Sequence, residues 1–330
     1  MSCDGTQSAP RAAAYWFAAE EVIMRDRKPQ APVYLLWRTP DTVMLGANQV
    51  AEQEIDGAYA EAHGIAVVRR SSGGGTIFTD PGTVLYTILL PWTPAVDPKD
   101  VVREHLAAPV TEALARLGAE ARLEGRNDIL LAGKKFSGIA QYIKHGYLCS
   151  HGSLLWDADI AKLARVLTAD EGKIASKALR SVSARVTNIA DHVREKDVNA
   201  FLETLHETFR AHSKAPAGGF TEAEQAAIGT LMQEKYENPA WTYGRAPAYT
   251  YANGARFPGG RVDVFLDVRR GVIEDCRIAG DFLALRPVAE IETALKGVPH
   301  QTDALRRAIS VIDVRGVLGS VSAEEFLSVL

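Results

Sequence analysis

The chain has 330 residues and a mass of 35.8 kDa, room for one large domain and one small one. Its 37 lysines and arginines stand against 41 acidic residues, and this net charge of −4 argues against nucleic acid as an obligatory partner. Cys3, Cys149 and Cys276 are scattered without metal-ligand spacing and predict free thiols in a reducing cytoplasm, while the polar N-terminus and the lack of a long apolar run predict neither a secretory leader nor a membrane span.

In chain order, Arg11 to Asp26 predicts a helix with Trp16, Ala19 and Val22-Ile23 on one face. Val33–Trp37 predicts a strand stopped by Pro40, Thr42–Leu45 a second, and Ala51–His63 a helix closed by Gly64. Branched residues at 65–68 and 84–90 predict two buried strands around a loop. A helix follows over Pro98–Leu117, then four short strands, Ala119–Leu123, Asp128–Ala132, Phe136–Ile143 and Tyr147–Trp156, then helices at Ala158–Leu167 and Asp197–His212. This order predicts an α+β fold (mixed α/β) with a mixed sheet. Ser213 to Gly219 is linker-like in composition, yet Thr221 and Glu224 predict a capping box opening another helix. The pattern changes near Arg245, which predicts a large domain over 1–244 and a small α+β domain over 245–330. The latter would hold strands within Tyr249–Asp281 and helices at Val288–Leu295, Asp303–Ile309 and Ala323–Val329.

Four stretches could carry chemistry. Arg69-Arg70-Ser71-Ser72-Gly73-Gly74-Gly75 interrupts a sheet-forming segment with three glycines, each costly in a strand unless something approaches the backbone closely. It reads either as a bulge between strands or, with its arginines, as an anion site; it is neither a P-loop nor a dinucleotide fingerprint. Asn127-Asp128 and Lys134-Lys135 bracket a hairpin that would bring a carboxylate near a lysine. That is what joining a carboxylate to an α-phosphate requires, since two anions must meet and charge grows on the transferring group; an ordinary turn with solvated lysines is the other reading. Cys149 and His151 share a strand face, as a nucleophile and base or as an inert buried thiol beside a histidine. Ser176 to Asn188 is a basic loop or a solvated connection.

Taken in order, RRSSGGGTIF (69–78), GRNDILLAGKKFSGIAQ (125–141), HGSLLWDADIAKLARVL (151–167), SVSARVTNI (181–189) and ENPAWTYGRAPAY (237–249) resemble the lipoate–protein ligase A family over nearly the whole chain. The resemblance implies a core like that of biotin protein ligases and class II aminoacyl-tRNA synthetases. It further implies that Mg·ATP activates lipoate to lipoyl-AMP, and that a lysine of a lipoyl domain then takes the acyl group. Lys135 resembles the lysine at the acyl carbonyl and phosphate, supported by Ser137 and Gly138. Arg70, Ser72, Gly73, Gly74 and Gly75 resemble the loop around lipoate and the adenylate. Phe78 resembles the adenine side, with Thr79 and Thr83 beside it. Asn127 and Asp128 resemble the phosphate and magnesium side, Asp128 being the implied metal ligand. His151 and Gly152 resemble the acyl tunnel, and Lys177 and Arg185 a loop closing over the nucleotide.

The implied acceptors are lipoyl domains of 2-oxoacid dehydrogenase E2 subunits or glycine-cleavage H protein, with the enzyme a monomer. Departures fall at Thr79 and Thr83, where the family commonly has His and Asn, and a hydroxyl offers fewer hydrogen bonds than an amide. Two other readings stay open: a transferase of the same fold using a Cys149 thioester without ATP, and a lipoate-binding homologue without activity. A biotin ligase is disfavoured, because its Gly-Arg-Gly-Arg-x-Gly loop is missing.

Overall fold

Buried aromatic and branched residues in the N-terminal half assemble a six-stranded sheet in the computed structural model, which describes residues 9–125, 127–167, 184–213, 218–244, 250–269 and 271–330. Its strands are β1 (Val33–Trp37), β5 (Thr83–Pro91), β6 (Ala121–Glu124), β7 (Asp128–Leu131), β8 (Lys134–Lys144) and β9 (Tyr147–Leu155), in the order β1-β5-β9-β8-β7-β6. A second sheet orders β3 (Ala66–Arg69), β2 (Thr42–Leu45) and β4 (Ile77–Thr79) as β3-β2-β4. The expected mixed sheet is, in its six strands, antiparallel throughout. The reason is local: β6 to β9 follow one another through tight turns, which can only reverse the chain. Parallel pairing lies outside the six strands: β3 runs along β2, with Ala66 N donating to Asp41 O and Arg70 N to Leu45 O at 3.0 Å each, and Lys135 and Val186 form an isolated parallel bridge.

Alternation sorts the sheet into two faces. On one, the helix α1 (Ala13–Val22) packs Trp16 against Trp37 with ring centroids 5.6 Å apart, and Phe17 against His151 at 6.0 Å. On the other, the helix Val198–Ser213 sets Phe209 against Tyr34 and Tyr86, and Phe201 is stacked 4.4 Å from Trp156. Three expected helices are interrupted. α1 ends in a π-helical turn at Ile23–Arg27, the 98–117 helix contains another at Val102–Ala107, and the 51–63 segment splits because Asp56 starts a new helix by accepting from Tyr59 N at 2.8 Å. The Thr221–Glu224 capping box forms as expected.

The chain forms two compact units, Met1–Met44, Ile55–Val68 and Ile77–Asn238 in one, Leu45–Glu54, Arg69–Thr76 and Pro239–Leu330 in the other. The glycine loop therefore groups with the C-terminal residues. That second unit holds an antiparallel sheet of β10 (Tyr251–Phe257), β11 (Gly260–Arg269) and β12 (Val272–Gly280). Helices Ala289–Leu295, Thr302–Ile309, Val314–Leu318 and Ala323–Leu327 close its core around Val262, Val264, Ile278, Phe282 and Ile291. The Val314–Leu318 helix was not expected from sequence. The boundary expected near Arg245 lies outside the described residues, and no described helix is long and apolar enough to cross a membrane.

Candidate functional site

The β7–β8 hairpin carries the most chemistry. Its register moves from Ile129↔Ser137 to Leu130↔Lys135, so Phe136 is an extra residue in β8. In a regular strand Lys135 and Ser137 would share a face; the bulge turns Lys135 onto the opposite one, with Asp128 and Gly138. Lys135 Nζ then lies 2.7 Å from Asp128 Oδ1. Both side chains stay partly open, 41% and 38% exposed, so this pair keeps access to solvent or a ligand. Gly138 leaves the lysine its path: a Cβ there would stand 3.1 Å from Lys135 Cε and Nζ.

Other backbone bonds hold this geometry. Lys135 N donates to Arg185 O at 2.9 Å, and Lys135 O accepts from Thr187 N at 3.0 Å. Asn188 anchors that segment, its amide bonding both Ala158 N (3.1 Å) and Ala158 O (3.0 Å). Asn127 brackets Gly138 from the other side, donating through Nδ2 to Ile139 O at 3.0 Å while its own carbonyl accepts from Ile139 N at 2.9 Å.

Along the same face from Gly138 run Ala140 and Ser153, small and partly exposed, and then His151. His151 Nδ1 is 3.1 Å from Glu20 Oε1 of α1; the same oxygen accepts from Thr87 Oγ1 (2.7 Å), which accepts from Trp37 Nε1 (3.1 Å). Lys135, Asp128, Gly138 and His151 thus line one face of one sheet. Ser137 and Gly152 lie on the other. Ser137 Oγ is 3.0 Å from Tyr86 Oη, and a Cβ on Gly152 would stand 2.5 Å from the same ring, so both accommodate Tyr86.

Phe78, Thr79 and Thr83 are buried. Thr79 Oγ1 meets Thr39 Oγ1 at 2.8 Å, and Thr83 Oγ1 donates to Asp80 Oδ1 at 2.9 Å. Arg185 enters the hairpin through its backbone and leaves its side chain exposed; Lys177 lies outside the described residues.

In the second unit, Arg70 sits beneath the glycine loop, donating to Ser72 Oγ (3.0 Å), Gly73 O (2.8 Å) and Gly75 O (2.7 Å). Burial and the neighbouring Arg69 charge bring its guanidinium down to about 10, still charged at neutral pH. Arg69 donates to the carbonyls of Gly46, Gln49 and Thr242. What approaches the glycines is the chain itself: a Cβ on Gly73 would lie 2.6 Å from Phe282 O, and Gly74, at φ 90°, donates to the same oxygen at 3.0 Å.

Cys149 is 0% exposed, and burial together with the Glu20 charge pushes its thiol well above its usual range. A nucleophilic thiol needs the opposite, access and a stabilised thiolate. The cysteine-thioester transferase is set aside. The sequence reading missed Glu20, Tyr86 and the Phe136 bulge; two adjacent acids within the apolar stripe of a helix were the available signal for the first.

Residues 12–210 match the model of the lipoyl protein ligase A/B catalytic domain, and residues 246–330 match that of the bacterial lipoate protein ligase C-terminus. The chain belongs to the lipoyl protein ligase A/B family. Among curated relatives, the lipoate-protein ligase LplJ of Bacillus subtilis (strain 168) is 32% identical over 326 residues, 95% of each chain. Among solved structures, a lipoate-protein ligase A bound with ATP superposes with a TM-score of 0.61 at 26% identity, over 72% of this chain and 96% of that one. P. falciparum LipL1 in complex with lipoate shares the fold, with a TM-score of 0.78 at 19% identity over 96% and 95% of the two chains. These ligases place the chain among the enzymes and match the α+β, two-part organisation read from sequence.

Proposed function

We propose that the chain is an ATP-dependent lipoate–protein ligase, which activates lipoate to lipoyl-AMP with release of pyrophosphate and passes the lipoyl group to a lysine of an acceptor domain. The observation that carries this reading is the bulge that aims Lys135 across Gly138 at Asp128, in a chain matching both family domains along its length. The ammonium of Lys135 is placed to stabilise charge as carboxylate and α-phosphate join, the situation in which a fixed cation acts most strongly. His151, held by Glu20, lines the acyl path on the same sheet face. Arg70 keeps the glycine loop in shape for the acid, and Lys177 and Arg185 serve the nucleotide. Thr79 and Thr83 act at one remove on the nucleotide side, because their hydroxyls are already engaged.

Asp128 fits a magnesium ion arriving with ATP. One of its oxygens meets Lys135, its side chain is partly exposed, and magnesium takes one or two carboxylates plus phosphate and water. When bound, the ion would neutralise phosphate charge. Lipoyl domains of 2-oxoacid dehydrogenases and glycine-cleavage H protein are the proposed acceptors, met by a monomer in the cytoplasm.

The test is pyrophosphate release from ATP and Mg²⁺ with lipoate alone, followed by mass spectrometry of an acceptor domain. Lys135→Ala is expected to slow both about 10²–10³-fold. Equal lipoylation by wild type and Lys135→Ala would remove Lys135 from this role.

A further inference from the structure

One cluster borders the acyl path through His151 but has no bond-making role in the proposed activation step. Glu20, Cys149 and His151 are all buried, and their donor atoms lie within 4.8 Å of one another. Cys149 and His151 are alternate residues of β9 and so share a face, and α1 brings Glu20 across to them. We propose that these three side chains form a binding site for one zinc-class divalent ion.

The donor set is one thiolate, one imidazole and one carboxylate, the mixture that borderline-soft zinc favours and magnesium does not. Bonds of ~2.0 Å to nitrogen and oxygen and ~2.3 Å to sulfur give tetrahedral edges of about 3.3–3.6 Å. The observed His151 Nδ1 to Glu20 Oε1 separation of 3.1 Å is already close to one such edge. Glu20 is oriented from behind by Thr87, itself held by Trp37, the kind of support that metal-ligating groups require. Tyr142 packs beside the cluster, its ring centroid 6.1 Å from that of His151 and its hydroxyl directed at the Cys149 sulfur. With the ion in place, the Cys149 proton leaves to solvent and one water completes the tetrahedron. The cysteine spacings in sequence did not suggest this, because only one cysteine takes part.

A consequence rests on the ligase reading. His151 would be withdrawn from the acyl path, so the ion would inhibit acid activation in competition with lipoate.

The experiment uses the metal-freed full chain, loaded separately with Zn²⁺ and Co²⁺ and desalted. Wild type is expected to retain about one equivalent of zinc and, with cobalt, to show a sulfur-to-metal charge-transfer band. Cys149→Ser should lose the band and bind zinc at least ~10-fold more weakly, whereas the Cys3→Ser/Cys276→Ser double variant should keep both. Glu20→Gln repeats the measurement should Cys149→Ser fail to fold, and it should weaken zinc binding while keeping the band. No retained metal in wild type, or unchanged binding in the folded Cys149 and Glu20 variants, overturns the site. Metal content is read without any ligase assay, so failure here leaves the proposed function untouched, and failure of that function leaves the metal result standing.

Discussion

Replacing Gly138 with alanine isolates the geometry of Lys135 from its chemistry. The added methyl carbon would lie 3.1 Å from Lys135 Cε and Nζ, whereas relaxed contacts between such atoms fall at ~3.5–4.0 Å. The lysine end must therefore retreat by about 0.5 Å, and it can, because the clash meets the tip of a flexible side chain rather than backbone. Gly138 has no positive φ, so alanine brings no backbone strain there. Stability should consequently change by less than ~1 kcal/mol. Displacing a charge by a fraction of an ångström from a reacting centre should nonetheless cost about 10-fold in the activation step, or ~1.4 kcal/mol of barrier, with the KM for lipoate little changed. Pyrophosphate release under single-turnover conditions, paired with a urea melt, separates the two effects. Wild-type turnover in a folded Gly138→Ala protein would refute the argument that this glycine exists to seat Lys135. A loss of stability above ~2 kcal/mol would show that the glycine serves the fold instead.

Other substitutions probe the scaffold. Gly152→Ala puts a carbon 2.5 Å from the buried ring of Tyr86 and should cost on the order of 2–3 kcal/mol, read as a lowered urea midpoint, with partial rescue by Tyr86→Leu. Gly73→Ala meets the backbone at Phe282 O and should destabilise by about 1–3 kcal/mol, measured the same way. Cys149→Ser should still release pyrophosphate from ATP and lipoate; loss of acyl transfer with ATP dispensable would reinstate the thioester route. The last concerns acid. Burial alone would raise the Glu21 carboxyl, but Lys235 and Lys144 more than reverse it and hold it at about 2 instead of 4.5. A depressed carboxylate stabilises above pH 4.5 and loses that contribution as pH falls towards 2, on the order of 3 kcal/mol here. Glu21→Gln should therefore be much weaker than wild type at pH 7 and nearly equal to it only below about pH 2, in denaturant melts at each pH.

The hairpin strands from Asp128 to Leu155 were legible because their residues alternate and Asn-Asp and Gly-Lys pairs mark turns between some of them. The pairing of Asp128 with a lysine was legible too, but which lysine, and through what device, was not. A bulge is a one-residue offset between two strands and leaves no mark on either strand alone. Ser137 and Gly152 illustrate the same limit. They sit inside well-matched motifs, yet their immediate neighbour is Tyr86, which only the register of β5 against β9 brings there. Within the six-stranded sheet the expected mixture of directions was misjudged for a related reason: strand direction depends on connections, and the turns after β6, β7 and β8 are too short for a crossover. The π-helical turns have no counterpart in the 3.6-residue pattern by which helices are recognised.

The grouping of residues 45–54 and 69–76 with 239–330 means that the polypeptide passes between the two units five times, at 44/45, 54/55, 68/69, 76/77 and 238/239. A protein joined once can lose or exchange its tail as a module; one interlaced this way cannot do so cleanly. Ending the chain at Asn238 would strip Arg69 of the Thr242 carbonyl and Gly74 of the Phe282 oxygen. The tail is in this sense part of the loop's foundation, and inheritance of the two should be coupled even though residues 77–238 separate them in the gene.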